Sequence, residues 1–162
     1  MTTCRTKVGW VGLAISPKGI LALEYPRATR EEALANLKER WPEASLIQGA
    51  PEEIGEQLQR YYAGEPVTFS AKLDLEGHAP FQRRVWQATL QIPYGQTRSY
   101  SWVAKEVGSP HAYRAVGAAL AKNPIPIIIP CHRVLRKDGT LGGYGGGLDM
   151  KRRLLEMEAR GG

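Results

Sequence analysis

The residues with the most chemical potential lie in the run Asn123-Pro124-Ile125-Pro126-Ile127-Ile128-Ile129-Pro130-Cys131-His132-Arg133-Val134. Cys131 stands where an apolar stretch gives way to a base and a fixed cation. A lone cysteine is most often a small buried hydrophobe. Here a His and an Arg follow directly, and both favour the thiolate, the nucleophilic form of the side chain. Adjacent residues of an extended chain point to opposite sides, so His132 reaches Cys131 only if the backbone turns or a water joins them. A carboxylate or amide elsewhere in the chain would then orient the imidazole. Downstream, Gly142–Gly147 is rich in glycine and interrupted by Tyr144. No Lys-Ser/Thr follows it, which rejects a nucleotide-binding P-loop.

These residues need elements to position them. In the first half, Val8–Ser16 and Ile20–Tyr25 read as strands joined by Pro17-Lys18-Gly19. Thr29 caps a helix that ends at Trp41-Pro42, and Pro51–Ala63 is a second helix. Val67–Leu75 alternates as a strand would. Beyond Glu76-Gly77-His78-Ala79-Pro80, Phe81–Leu90 is a helix with Phe81, Val85, Trp86 and Leu90 as its apolar stripe. Ser101–Val107 is a short helix stopped by Gly108. Ser109 is a fitting N-cap and Pro110 a fitting first residue for the next helix, which runs to about Lys122. Helix, glycine-containing turn, helix is the helix-turn-helix pattern. Arg114, Gly117, Ala118 and Ala121 share one face of that second helix. This face either packs closely on another helix or lies against DNA with Arg114 protruding. Ile127–Ile129 reads as a buried strand or extended run, and Lys151-Arg152-Arg153 as a solvated helix face.

Charge divides the chain in the same place. Residues 1–80 carry nine Lys/Arg against eleven Asp/Glu, net −2, while residues 81–162 carry thirteen against five, net +8. The second half is therefore the part suited to a polyanion, most simply nucleic acid. No apolar run approaches the roughly 18 residues that span a bilayer, and the N-terminus lacks the features of a signal peptide. The expectation is a cytoplasmic, monomeric protein without membrane association. Cys4 and Cys131 with His78, His111 and His132 show no metal-ligand spacing, so no metal is expected.

Pro130-Cys131-His132-Arg133-Val134 resembles the active-site signature of the O6-alkylguanine-DNA alkyltransferase family, the methylated-DNA–protein-cysteine methyltransferases. The likeness extends through Ile92-Pro93-Tyr94-Gly95, Ser99-Tyr100, Arg114-Ala115-Val116-Gly117 and Asn123-Pro124. It continues in Gly143-Tyr144-Gly145-Gly146-Gly147-Leu148 and Lys151–Glu158. The resemblance implies an α+β protein in two domains. Residues 1–76 would form a small ribonuclease-H-like α/β domain, and residues 77–162 a mainly helical, winged-helix-like domain whose helix-turn-helix enters the DNA minor groove.

The same resemblance implies roles for single residues. Cys131 accepts an alkyl group from O6-alkylguanine in double-stranded DNA, irreversibly and once, with O4-alkylthymine an open second substrate. His132 takes the thiol proton through water and Glu158 supports the imidazolium. Arg114 fills the stack after base flipping, Asn123 braces the active-site turn, and Tyr100 stands by the phosphate and the extruded guanine. Tyr144 lines the alkyl pocket, backbone groups near Gly145 read the guanine, Gln82, Ser101, Ser109 and Lys137 are further DNA contacts, and no cofactor is required. Two other readings stay open at this point. One is a lesion-recognition protein that does not need its thiol. The other is a cysteine hydrolase built on Cys131, His132 and Glu158, weakened by the absence of an oxyanion-hole motif.

Overall fold

The computed structural model describes residues 1–161, and the chain divides into two compact units, Met1–Asp74 and Leu75–Gly162. Helices and small sheets are mixed in an α+β arrangement.

The first unit is built on a three-stranded antiparallel sheet in the order β1 (Thr2–Thr6), β2 (Gly9–Ser16), β3 (Gly19–Leu23). β1 carries no apolar alternation in sequence, because its inward positions include Thr2, Thr3 and Thr6. It forms because β2 pairs with it residue by residue, Cys4 against Val11 and Thr3 against Gly12. Strand parity then sorts the two faces. Helix α1 (Arg30–Arg40) covers the face of Gly12, Ala14 and Ala22 with Leu34 and Leu37. Its start is fixed by Thr29, whose side chain accepts from Glu32 N at 3.2 Å, the N-cap bond expected of threonine. Helix α2 (Glu52–Tyr62) buries Ile54, Leu58, Tyr61 and Tyr62, and its Gly55 carbonyl accepts from Cys4 Sγ at 3.6 Å on the opposite face.

The expected strand over 67–75 is not one. Only Leu73 bridges to Ile20, through Ile20 N to Lys72 O at 2.9 Å and Asp74 N to Ile20 O at 2.8 Å. Apolar alternation there reflects an extended segment that touches the sheet edge once.

The second unit begins with α3 (Pro80–Thr89), which buries Val85, Trp86 and Thr89. Leu90 was expected inward and is instead 36% exposed, because the helix ends one residue earlier and turns its last buried position to Thr89. Trp86 lies fully inside and donates Nε1–H to Ala119 O at 2.9 Å. That bond fixes α3 to α5 (Tyr113–Ala121). A two-residue strand, β4 (Arg98–Ser99), leads into α4 (Tyr100–Glu106) and pairs in parallel with β5 (Val134–Leu135). Ser99 caps α4 by accepting from Trp102 N at 3.0 Å.

Ser109 does not cap α5. Residues Ser109–Ala112 form a turn closed by Ala112 N to Ser109 O at 2.9 Å, with Pro110 at its second position, and the helix starts after it at Tyr113. Proline suits that turn position as well as it suits the first helical residue, which is why sequence alone misplaces the start. The last element is α6 (Leu148–Gly161), which buries Lys151, Leu154 and Glu158.

Glycine at position 12 is a packing requirement. A Cβ there would lie 2.3 Å from the Ala33 carbonyl oxygen of α1. Gly12→Ala is expected to destabilise the first unit by about 1–3 kcal/mol, read as a lower urea midpoint. An unchanged midpoint would mean that α1 shifts away without loss.

Candidate active site

The segment before Cys131 is a buried turn, where a strand or extended run was expected. Ile129 N donates to Ile125 O at 2.9 Å, and Ile127 adopts φ 75° with its side chain enclosed. A β-branched residue in the left-handed region costs on the order of 1–3 kcal/mol, so its surroundings must hold it there. Asn123 does much of this. Its Oδ1 accepts from Ile125 N at 2.9 Å, and its Nδ2 donates to Ile129 O at 2.9 Å and to Cys131 Sγ at 3.1 Å. One amide spans the turn, fixes both of its ends and points a donor at the thiol.

Cys131, His132 and Arg133 then form a single 3₁₀ turn, the backbone change that adjacent Cys and His needed. His132 Nε2 lies 2.5 Å from Glu158 Oε2 with both side chains buried. Arg133 turns away from the thiol. Its Nε donates to Glu158 Oε1 at 2.7 Å, its Nη2 to Oε2 at 3.1 Å, and its Nη1 to Ile92 O at 2.8 Å. Gly95 N adds a donor to Glu158 Oε1 at 3.4 Å.

These surroundings set the protonation states. Burial pushes the Cys131 thiol above its ordinary value, with the Asn123 bond and the Lys151 charge pulling part of the way back. The thiol is therefore protonated at rest, against the expectation that the adjacent His and Arg favour the thiolate. Arg133 cannot help, because it is engaged by Glu158. Burial likewise lowers His132, outweighing its carboxylate partner, so the imidazole is neutral and able to accept a proton. Burial opposes ionisation of Glu158, yet bonds from His132 and Arg133 hold its pKa at about 2. Tyr100 is raised by burial and by its nearness to Cys131, which keeps its hydroxyl a proton donor.

Lys151 overturns another expectation. It is fully buried, not solvated. Its ammonium donates to Val134 O at 2.7 Å, to Gly143 O at 3.2 Å and to Leu141 O, and it stands 5.9 Å from the Tyr100 ring centre. Burial lowers its pKa to about 8. Arg152 and Arg153 do face solvent, paired with Asp149. The signal for Lys151 lay in its spacing, since Lys151, Leu154 and Glu158 form one inward stripe of α6.

A pocket of about 820 Å³ opens over Cys131, within the size range of sites that enclose a small organic ligand. Tyr100, Ser101, Arg114, Cys131, Lys137, Tyr144 and Gly145, all singled out in the sequence, line it together, and Tyr113, Arg136 and Gly142 join them. Tyr100 packs so tightly on Gly142 that a Cβ there would come within 2.7 Å of its hydroxyl. Arg114, Ala118 and Ala121 are exposed, so this face of α5 is not packed on another helix. Two expected residues lie elsewhere. Gln82 Oε1 accepts from Ala79 N at 3.3 Å at the start of α3, and Ser109 belongs to the turn before α5. No group of three His, Cys, Asp or Glu able to hold a metal occurs among the described residues.

Such a site defines a protein whose chemistry centres on one enclosed thiol. Residues 80–160 match the family model described as 6-O-methylguanine DNA methyltransferase, DNA binding domain. A methylated-DNA–protein-cysteine methyltransferase of Mycolicibacterium paratuberculosis is 46% identical over 156 residues, covering 90% of this chain and 89% of that one. A protein of the same name from Mycobacterium leprae is 57% identical over 110 residues, 68% of this chain and 66% of that one. The crystal structure of Mycobacterium tuberculosis OGT in complex with DNA matches with a TM-score of 0.83 and 41% identity, covering 98% of this chain and 92% of the other. The chain belongs to the methylated-DNA–protein-cysteine methyltransferase family.

Two outcomes test this geometry. The depressed pKa of Glu158 means that its stabilising contribution is complete above about pH 4.5, its ordinary value, and is lost as pH falls toward 2. Glu158→Gln is expected to cost about 3–5 kcal/mol at pH 7 and to flatten the acid limb of a stability–pH curve measured by urea unfolding. A steep limb retained in the variant would assign acid sensitivity to other carboxyls. Lys151→Met leaves three carbonyls without their donor and removes a charge near the thiol. It is expected to lose more than about 2 kcal/mol and to slow iodoacetamide capture of Cys131 at pH 8. Equal capture rates would show that Lys151 does not act on the thiol.

Proposed function

We infer that this protein carries out direct-reversal DNA repair. It moves a methyl or other alkyl group from O6 of guanine in DNA onto its cysteine, a single time per molecule. The observation that carries the assignment to Cys131 is its setting: a thiol at the wall of a pocket of about 820 Å³, held by Asn123 and followed by a neutral histidine paired with a carboxylate.

In the proposed reaction, neutral His132 receives the thiol proton by way of a water, and Glu158, together with Arg133, stabilises the imidazolium. The thiolate so formed accepts the amide N–H of Asn123. Its sulfur attacks the alkyl carbon, the S–C bond forms, and the bond from carbon to O6 breaks with its electron pair leaving on the purine. The Tyr100 hydroxyl, protonated at neutral pH, donates to the departing guanine. The product thioether is not hydrolysable, so no second cycle follows. A base within a duplex cannot present O6 to a buried sulfur, which requires the nucleotide to be extruded. Exposed Arg114 at the start of α5 is suited to fill the gap, and the small residues of the same face permit close approach to the minor groove.

Finer readings belong to the same proposal. The first unit is read as ribonuclease-H-like, and the second as winged-helix-like with α4 and α5 as its helix-turn-helix. Lys137, Ser101, Gln82 and Ser109 are read as DNA contacts, Tyr144 as a wall of the alkyl site, and the backbone near Gly145 as reading the guanine. Among the described residues no helix is long and apolar enough to cross a membrane, and the protein is proposed to act as a monomer in the cytoplasm.

Incubation with a duplex carrying one O6-methylguanine, followed by intact-mass measurement and peptide mapping, is the direct test. A stoichiometric one-methyl gain on the peptide of Cys131, absent in Cys131→Ser, is expected. Binding of the duplex without any gain in mass would instead identify a lesion-recognition protein.

A further inference from the structure

We propose that Tyr113 is a further DNA-contacting residue, whose ring packs on a nucleotide of the lesion-bearing strand at the mouth of the pocket. The nature of the occupant rests on the repair reading above. Tyr113, Gly117, Leu120 and Ala121 fall at i, i+4, i+7 and i+8 of α5, and all four line the pocket of Cys131. The helix therefore offers this pocket one aromatic ring, at its first residue, beside the exposed Arg114 and ahead of small or buried side chains. Tyr113 is 51% exposed, while Leu120 is almost wholly covered.

Its neighbours indicate what covers the ring. Arg114, Arg136 and Lys137 line the same pocket, and no Asp or Glu does so among the described residues. An exposed aromatic face set among cations is the composition that receives a nucleotide, with the ring taking base or sugar and the cations the phosphates. Successive helix positions diverge by about 100°, so Tyr113 and Arg114 point apart. Both border the pocket, so with Arg114 directed into the duplex Tyr113 stands at a different point of its rim, along the way a nucleotide enters. Tyr113 carries no hydrogen bond or charge to Cys131, so its contribution is to DNA affinity and not to thiol chemistry.

The test uses the full chain and a short duplex containing one O6-methylguanine. In a Cys131→Ser background, where no transfer occurs, Tyr113→Ala is expected to weaken equilibrium binding about 5- to 50-fold, read by fluorescence anisotropy. Tyr113→Phe should bind as the parent does. With Cys131 restored, Tyr113→Ala should raise the DNA concentration for half-maximal transfer and leave the plateau rate and the reaction with free O6-methylguanine base unchanged. A damaged pocket would lower the plateau and slow the free base too. Unchanged affinity in Tyr113→Ala, failure of Phe to rescue it, or equal slowing of the free base would each overturn the proposal. If no methyl moves from any duplex, the repair reading falls, and the anisotropy comparison still decides the role of Tyr113.

Discussion

Much of the second unit depends on one buried carboxylate. Glu158 receives donors from His132, from two nitrogens of Arg133 and from the backbone of Gly95. Through these it joins the C-terminal helix to the turn that carries the thiol and to the loop after α3. Enclosing a lone carboxylate would be prohibitive, and only its being bonded at both oxygens makes its place tolerable. Arg133 extends the network to the Ile92 carbonyl. The imidazole is thereby fixed in orientation with one nitrogen committed to the carboxylate. The carboxylate proposed to support the imidazolium and the chief polar tie of the unit are the same side chain.

Lys151 is its counterpart about two turns earlier on the same face of α6. Its ammonium gathers carbonyls from β5 and from the glycine-rich loop, and that loop closes over Tyr100. Two buried ions of opposite sign on one helix thus hold the two sides of the pocket, the carboxylate behind the thiol and the ammonium beneath the loop. The loop itself needs glycine where it meets Tyr100, since Gly142 has φ 66° and no room for a Cβ. Positive charge near a buried thiol also limits how far burial raises its pKa. Position and electrostatics are therefore set by the same contact.

Most helices were legible in sequence because they carry an apolar period and a boundary residue with a physical reason, such as Thr29 before α1 and Gly108 after α4, whereas the Ser109 boundary placed the start of α5 too early. Cys131, Tyr100, Arg114 and Tyr144 were legible because resemblance singled them out, and the pocket gathers them. What was hidden is polar residues used inside. β1 was not seen because threonines occupy its inward positions. Lys151 was read as solvated because it stands beside two arginines that are, although its spacing with Leu154 and Glu158 placed it on the covered face. The three isoleucines before Cys131 read as extended, since nothing in their types announces a left-handed residue. The Asn123 amide, bonded at both ends of the turn, and the Ile129 N–Ile125 O bond hold that conformation.

The enclosure of Cys131, 7% exposed and protonated at rest, bears on the life of the molecule before it meets a lesion. Dissolved peroxides convert accessible thiolates to sulfenic acid and onward to forms that no longer act as nucleophiles. A cysteine used repeatedly tolerates such losses if a reductant restores it. A protein that reacts once has its whole capacity in the number of intact thiols present when damage occurs. Keeping the sulfur covered and uncharged slows its ageing, so the stock made in quiet conditions is still competent later.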